Sequence, residues 1–274
     1  MRNKKGIVSK LGIFIVLMTT VCMTGCVSLF VDSAVAKTFA PNKIFLHSNP
    51  KVGDFVKLEG SAQASQESNV RRGQEITSKS ITEYEITEIN GDKITVALTS
   101  HVDSSSNGIL FKKTELDTGF KYVVDFDGNV QKAYYVNNKG KETELKILQP
   151  GMQGYFDFDY SSLPITKLKD KSGVETECYV YVQVSDVAKS LSEMGMNPAR
   201  VNASGYAKTM YFISKNSDSV KFRLLGMVQG VNSTMDDASF GYEGDGNLYT
   251  YEGTQGLASK SEHWMIENGN KNEK

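Results

Sequence analysis

Three histidines, three cysteines and a few acidic turns carry most of the reactive chemistry available to this 274-residue chain. His47, His101 and His263 stand far apart in sequence, and no H-E-x-x-H or paired C-x-x-C occurs, so the usual zinc patterns are missing. Each histidine reads as structural or incidental. No G-x-S-x-G elbow offers a nucleophilic serine, and no G-x-x-x-x-G-K-[ST] or G-x-G-x-x-G loop offers a phosphate cradle. Cys178 sits in an alternating stretch, Thr176 to Val184, where a thiol is a small buried hydrophobe rather than a nucleophile.

Acidic turns invite a calcium reading. Asp125-Phe126-Asp127-Gly128-Asn129 alternates oxygens as a calcium loop does. However, Val130 stands where the loop needs glycine, and Val136 where it needs glutamate. Asp236-Asp237 and Glu243 to Asn247 are incomplete in the same way, and hairpin turns account for 125–129 and 243–247 more simply. Glu83, Glu85 and Glu88 belong to the solvated side of a hairpin, and spacing alone cannot mark them as a glycosidase pair. The expectation is no catalytic residue, no metal and no cofactor.

Aromatic residues give the one lead toward a ligand. Tyr155, Phe156, Phe158, Tyr160, Tyr179, Tyr181, Tyr206, Tyr211, Phe212, Tyr249 and Tyr251 crowd the second half of the chain. They could line an apolar groove in a curved sheet. Equally they are what a β core and its cross-strand pairs require.

The elements that must position these residues are strands. Ile81 to Thr99 alternates apolar and polar residues around Asn90-Gly91, the pattern of a hairpin with one buried face. Tyr122–Val136 repeats it around Asp127-Gly128-Asn129. Thr176–Val184 sets Cys178, Val180, Val182 and Val184 on one face against Tyr179, Tyr181 and Gln183 on the other. Tyr206–Ser214 and Val220–Val228 form a further hairpin, and Phe240–Tyr251 another. Helix is scarce: Asp186–Met194, capped by Ser185 and stopped by Gly195, is the best candidate. Ser61–Asn69 reads as a polar loop, and Gly256–Trp264 as a short helix or strand.

Three pairs of segments run in the same order through the two halves. Pro50–Leu58 resembles Pro150–Phe158, Thr82–Glu88 resembles Thr209–Lys215, and Asp127–Tyr134 resembles Asp245–Tyr251. A duplicated β unit and chance reuse of turn residues both account for this. The fold class expected is mainly β. It would be an antiparallel curved sheet, open barrel or sandwich with one or two short helices, duplicated halves being one option.

The N-terminus sets the address. Arg2, Lys4, Lys5 and Lys10 precede an apolar run, Leu11 to Gly25, as in a secretory signal. A transmembrane anchor over Leu11–Val31 is weakened by Thr19, Thr20, Cys22, Thr24, Gly25 and Ser28. Met23-Thr24-Gly25-Cys26 resembles the bacterial lipobox, with Met23 where leucine is usual. The resemblance implies that Cys26 is lipidated and becomes the mature N-terminus. Ala34-Val35-Ala36 before Lys37 is a rival site for ordinary cleavage.

Loss of 1–25 removes four of 31 basic residues against 32 acidic ones, leaving the mature chain near −5. That argues against nucleic acid as a partner. With Cys22 removed and Cys26 alkylated, Cys178 is left alone, so an apolar core and not a disulfide must hold the fold. The expected organisation is a signal at 1–25, a lipid-anchored tether at 26–48, β-rich halves at 49–148 and 149–267, and a disordered tail at 268–274. The chain is then expected to be an envelope lipoprotein, membrane-bound through its anchor. It would act as a non-catalytic binding or structural surface protein toward an envelope or host protein, or alternatively carry an apolar ligand in a concave sheet. After cleavage at Ala36 it would instead be periplasmic or secreted.

Overall fold

A computed structural model describes residues 39–68, 71–106, 113–137, 139–152, 154–169, 175–186, 189, 192, 206–218, 220–232, 240–242, 249–251 and 257–273. Hairpin after hairpin builds the sheet, and each closes where the sequence supplies a turn. After β1 (Phe39–Ala40), the strands β2 (Asp54–Ser68), β3 (Arg71–Asn90), β4 (Lys93–Ser106), β5 (Lys113–Val124), β6 (Val130–Val136) and β7 (Glu142–Ile147) form a meander. Asn90 pairs with Lys93 across Gly91, whose φ of +60° suits a residue without Cβ. A long connection with one 3-10 turn at Tyr160–Ser162 leads to β8 (Ile165–Lys169), β9 (Glu175–Asp186), β10 (Tyr206–Ser214) and β11 (Leu224–Asn232). A small hairpin of β12 (Phe240–Tyr242) and β13 (Tyr249–Tyr251) precedes β14 (Leu257–Asn270).

These strands make one curved, unclosed twelve-stranded sheet in the order β1-β7-β6-β5-β4-β3-β2-β14-β11-β10-β9-β8, antiparallel except where β1 meets β7. The fold class is therefore mainly β. β14 is the keystone: it returns from the C-terminus to pair with β2 on one side and β11 on the other, joining both meanders. Bulges at Ile86/Glu88 and Met265/Glu267 break the register of long strands, which bends them locally.

One face of this sheet is concave and buried. Val56 and Leu58, Tyr84 and Ile86, Val96 and Leu98, Tyr122 and Val124, Ala133, Leu145, Tyr211 and Met227 all join a single core cluster. Ile44, Phe45 and Leu46 on one side and Phe156 on the other lie within it. Two irregular segments thus fill the hollow. The packed chain includes Phe39 to His47, inside the span expected as tether, because Ile44–Leu46 are apolar and find the concave face. Gly128 fixes the approach: Ile44 N donates to its carbonyl at 2.8 Å, and a Cβ at Gly128 would lie 1.9 Å from the Ile44 oxygen.

Other expectations change as well. Ser61–Ser68 continues β2 rather than looping, paired with β3, and Ser61 and Gln63 stand exposed on its open face. Residues 257–264 are strand, part of β14. The tail is ordered through Glu273: Asn268–Asn270 pair with Val56–Asp54, and Lys271 bridges Glu83 and Glu85. Tyr155–Phe158 is not a strand, whereas its supposed counterpart Phe55–Leu58 is, so the first repeat pair shares a turn but not the strand that follows it. Val220–Arg223 is a loop leading into β11. The helix expected over Asp186–Met194 lies mostly outside the described residues. Lys189 and Ser192 are helical, and the Asp186 carboxylate, not Ser185, accepts from Lys189 N at 2.8 Å.

On the other face of β8–β11 a second cluster gathers Leu168, Cys178, Met210, Phe212, Val220, Leu225 and Val228. Trp264 lies over Gly226, where any Cβ would collide with the indole, and its ring meets Phe212 at 5.3 Å.

Candidate functional site

The concave face divides into an aromatic part and a polar part. Phe156 and Phe158 come from the long connection and fill the aromatic part. Phe156 meets Phe45 and Tyr211 edge-on at 5.1 and 4.9 Å, and Phe158 lies 4.4 Å from Tyr181. Tyr160 packs on Tyr179 at 5.2 Å and under the Arg223 guanidinium at 4.4 Å. The aromatics that could have lined a groove stack on one another instead. The apolar gap beside them, between Ile44, Phe45, Leu58, Tyr84 and Phe222, holds only about 20 Å³. Phe212 faces the second cluster; the side chains of Tyr206, Tyr249 and Tyr251 are outside the described ones.

The polar part lies further along the same face. The rows Tyr211–Met227–His263–Gly60–Ser80 and Thr209–Gln229–Ser261–Ala62–Ser78 cross β10, β11, β14, β2 and β3 in register. His263, expected to be structural or incidental, is 1% exposed, and burial pushes its imidazole down to about 4. Its ring occupies the space that Gly60 leaves open: a Cβ there would lie 2.2 Å from Nδ1. Gln229 donates from Nε2 to Thr209 Oγ1 at 2.9 Å. Gln229 Oε1, Ser261 Oγ and both nitrogens of His263 have no hydrogen-bond partner.

Asp54, which the sequence did not single out, organises the rim. Its fully buried carboxylate accepts from Lys51 N at 2.7 Å and Asn270 Nδ2 at 2.7 Å, and Lys221 Nζ lies 3.3 Å away. His47 Nε2 completes the set at 2.8 Å. A carboxylate only accepts, so Nε2 carries the proton, while Nδ1 accepts from Asn49 N at 3.4 Å. With both nitrogens engaged, the pair is a clamp and not a general base. Burial would raise the Asp54 carboxyl, but Asn270, Lys51, His47 and the Lys221 charge outweigh it and hold the group below its usual range.

The remaining sequence candidates separate. Cys178 is fully buried and its thiol is pushed up to about 12 by burial, the opposite of activation. His101 is exposed beside Asp117, 2.7 Å away. Asp125 caps its own turn, accepting from Asn129 N and Nδ2 at 2.8 and 2.9 Å. Glu83 and Glu85 take Lys271, as a solvated hairpin face would. Asp236-Asp237, Glu243–Asn247 and Cys26 fall outside the described residues.

On the outer face of β14, β2, β3 and β4 runs a groove of about 580 Å³, lined by Ser61, Gln63, Thr77, Lys79, Asp103 and Glu262 among others. Thr77 and Ser105 hydroxyls meet there at 2.8 Å. Its size is that of a ligand cleft, but its walls are polar.

No protein-family model matches the chain, and no curated protein matches it.

Proposed function

We propose that this is an exported, lipid-anchored protein of the bacterial cell envelope that works by binding and not by catalysis. The observation that carries the binding reading is the filling of the apolar hollow by the chain's own Phe45, Phe156 and Phe158. With that space taken, the outer polar groove of about 580 Å³ is a described surface large enough for a partner, and a polar envelope component suits its walls. A carrier of apolar ligands would need several hundred cubic ångströms of apolar space, and the gap beside these rings among the described residues holds about 20 Å³.

The address rests on the leader. Cys26 and the rival junction after Ala36 both precede Phe39, so processing at either leaves the described fold whole. Several acyl chains on Cys26, as the resemblance to lipoproteins implies, would hold the domain firmly at a membrane, since two already suffice.

Fractionation of cells expressing Cys26→Ala tests the anchor. The variant is expected in the soluble fraction while the parent needs detergent for release. A variant still requiring detergent contradicts lipidation. Organic extraction of the purified protein, followed by mass spectrometry, tests the carrier alternative. No fatty acid or other apolar molecule is expected in molar proportion to protein, and finding one would restore that alternative.

A further inference from the structure

We propose that the free edge of β9 is a self-association surface, where a second copy of this chain adds its own β9 antiparallel and joins two sheets into one. β9 runs Glu175–Asp186, but β8 pairs only with its first part, Glu175–Tyr179. One further bond, from Val180 N to the Pro164 carbonyl at 2.9 Å, ends that ladder. Beyond it, Tyr181–Asp186 pair with β10 on one side and with no described strand on the other. Peptide groups along an antiparallel strand face alternate sides. Val180 N faces β8, so the N–H and C=O groups of Val182 and Val184 face the same way. Among the described residues nothing pairs with them there.

Unpaired strand edges invite pairing, and proteins blunt them with charge, proline, bulges or brevity. Elsewhere the margin of this sheet is blunted. β8 is short and carries Lys167 and Lys169, while β7 carries Glu142, Glu144 and Lys146 and is partly covered by β1. Tyr181–Ser185 has no charge and no proline, and its register with β10 is unbroken. Val182 is 41% exposed, and Val184, at 63%, is the most exposed large apolar residue among the described ones. Both lie on the outer face, where the row Val182–Met210–Val228 leads back into the second cluster. That cluster therefore runs out to the edge and ends there uncovered.

The occupant follows from the sequence of the edge. Val182-Gln183-Val184 reads alike in both directions, and a two-fold contact needs a surface complementary to itself. Antiparallel pairing about Gln183 sets Val182 against Val184 of the second copy, and the reverse, as hydrogen-bonded pairs. Gln183 then meets its own copy in the closer, non-hydrogen-bonded position, and Tyr181 faces Ser185, so no like charges oppose. Valines of both copies lie side by side on the outer face and carry the second cluster across the axis. Pro164, beside Val180, stops the added strand, so the ladder is short and the association reversible.

Gln183→Cys in the full chain, expressed in cells and treated with a mild oxidant, tests this register. Non-hydrogen-bonded partners stand about 4.5 Å apart at Cα, within disulfide range. A disulfide-linked dimer is expected from this variant and not from Val182→Cys, whose own copy lies diagonally across. Adding Val182→Lys and Val184→Lys to Gln183→Cys sets lysine against lysine and should lower the yield at least tenfold; both valines are exposed, so the fold tolerates the change. Sedimentation of the detergent-solubilised parent is a second measurement that needs no cysteine. Monomer and dimer should exchange with concentration, and the double lysine variant should stay monomeric. A Gln183→Cys chain that links to nothing, links to a different protein, or links as readily with the lysines present would overturn the proposal. A parent that is monomeric at every concentration would do the same. Neither result touches binding at the outer groove.

Discussion

At the scale of single residues, two buried polar groups make the fold depend on pH in different windows. His263 is neutral in the folded chain down to about pH 4, while an unfolded histidine takes up a proton near 6.5. Between those values the unfolded state binds more protons. Stability is therefore full above pH 6.5 and declines as pH falls toward 4, by about 3 kcal/mol in total. His263→Leu should flatten urea-melt stability across that window; an unchanged slope would show that the ring is not held neutral. Asp54 acts lower on the scale. Its carboxyl is depressed, so its contribution is present above about pH 4 and is lost as pH falls through its folded value. Asp54→Asn is expected to cost about 3 kcal/mol at pH 7, the scale for breaking a buried pair by removing one partner. Neither role was legible in the sequence. The spacing within 257–264 did not decide between helix and strand, and only pairing with β2 puts His263 over Gly60. Asp54 gains its meaning from Asn270, which lies more than two hundred positions away.

At the scale of elements, the hairpins were legible because alternation and turn chemistry are local. The pairings around Gly91 and Gly128, the Cys178 face of β9, and β10 beside β11 all follow the sequence pattern. The inserted segments were not, because Phe39–His47 and Gln149–Pro164 have no period, and only a concave face made by distant strands gives them a place. The second half of β2, from Ser61, looked like loop for a related reason: at Gly60–Gln63 the strand is polar on its open side and small on its buried side, which shows little hydrophobic alternation. Gly128 joins the local and distant cases, serving a turn with φ of +81° and the docking of Ile44. Gly128→Ala should cost more than about 1 kcal/mol in a thermal or denaturant melt, combining backbone strain with that backbone collision. A neutral result would mean that the segment 42–46 does not dock at this turn.

At the scale of the whole molecule, one sheet serves two faces with different duties. Its concave side holds the main core and its outer side holds the second cluster and the polar groove. At one end the sheet stops with β8, a strand of five residues that includes Lys167 and Lys169, a charged and short edge of the kind that discourages further pairing. At the other end the short, parallel β1 covers β7. On β8 and β9 themselves, Ile165, Val182 and Val184 are exposed apolar side chains at this end of the sheet. The curved mainly β fold was readable from period and turns. The closing contact of β14 with β2 was not, because nothing in either strand names the other. The N-terminal pattern that resembles an export signal and lipobox needs no fold to be read, and it carries the proposal of where the molecule acts.

That account is tested most directly by the mass of the mature N-terminus, taken from protein isolated from its native membrane. Acylated Cys26 as the first residue is the predicted result. A chain beginning at Lys37 without lipid, or one retaining residues 1–25, would contradict it.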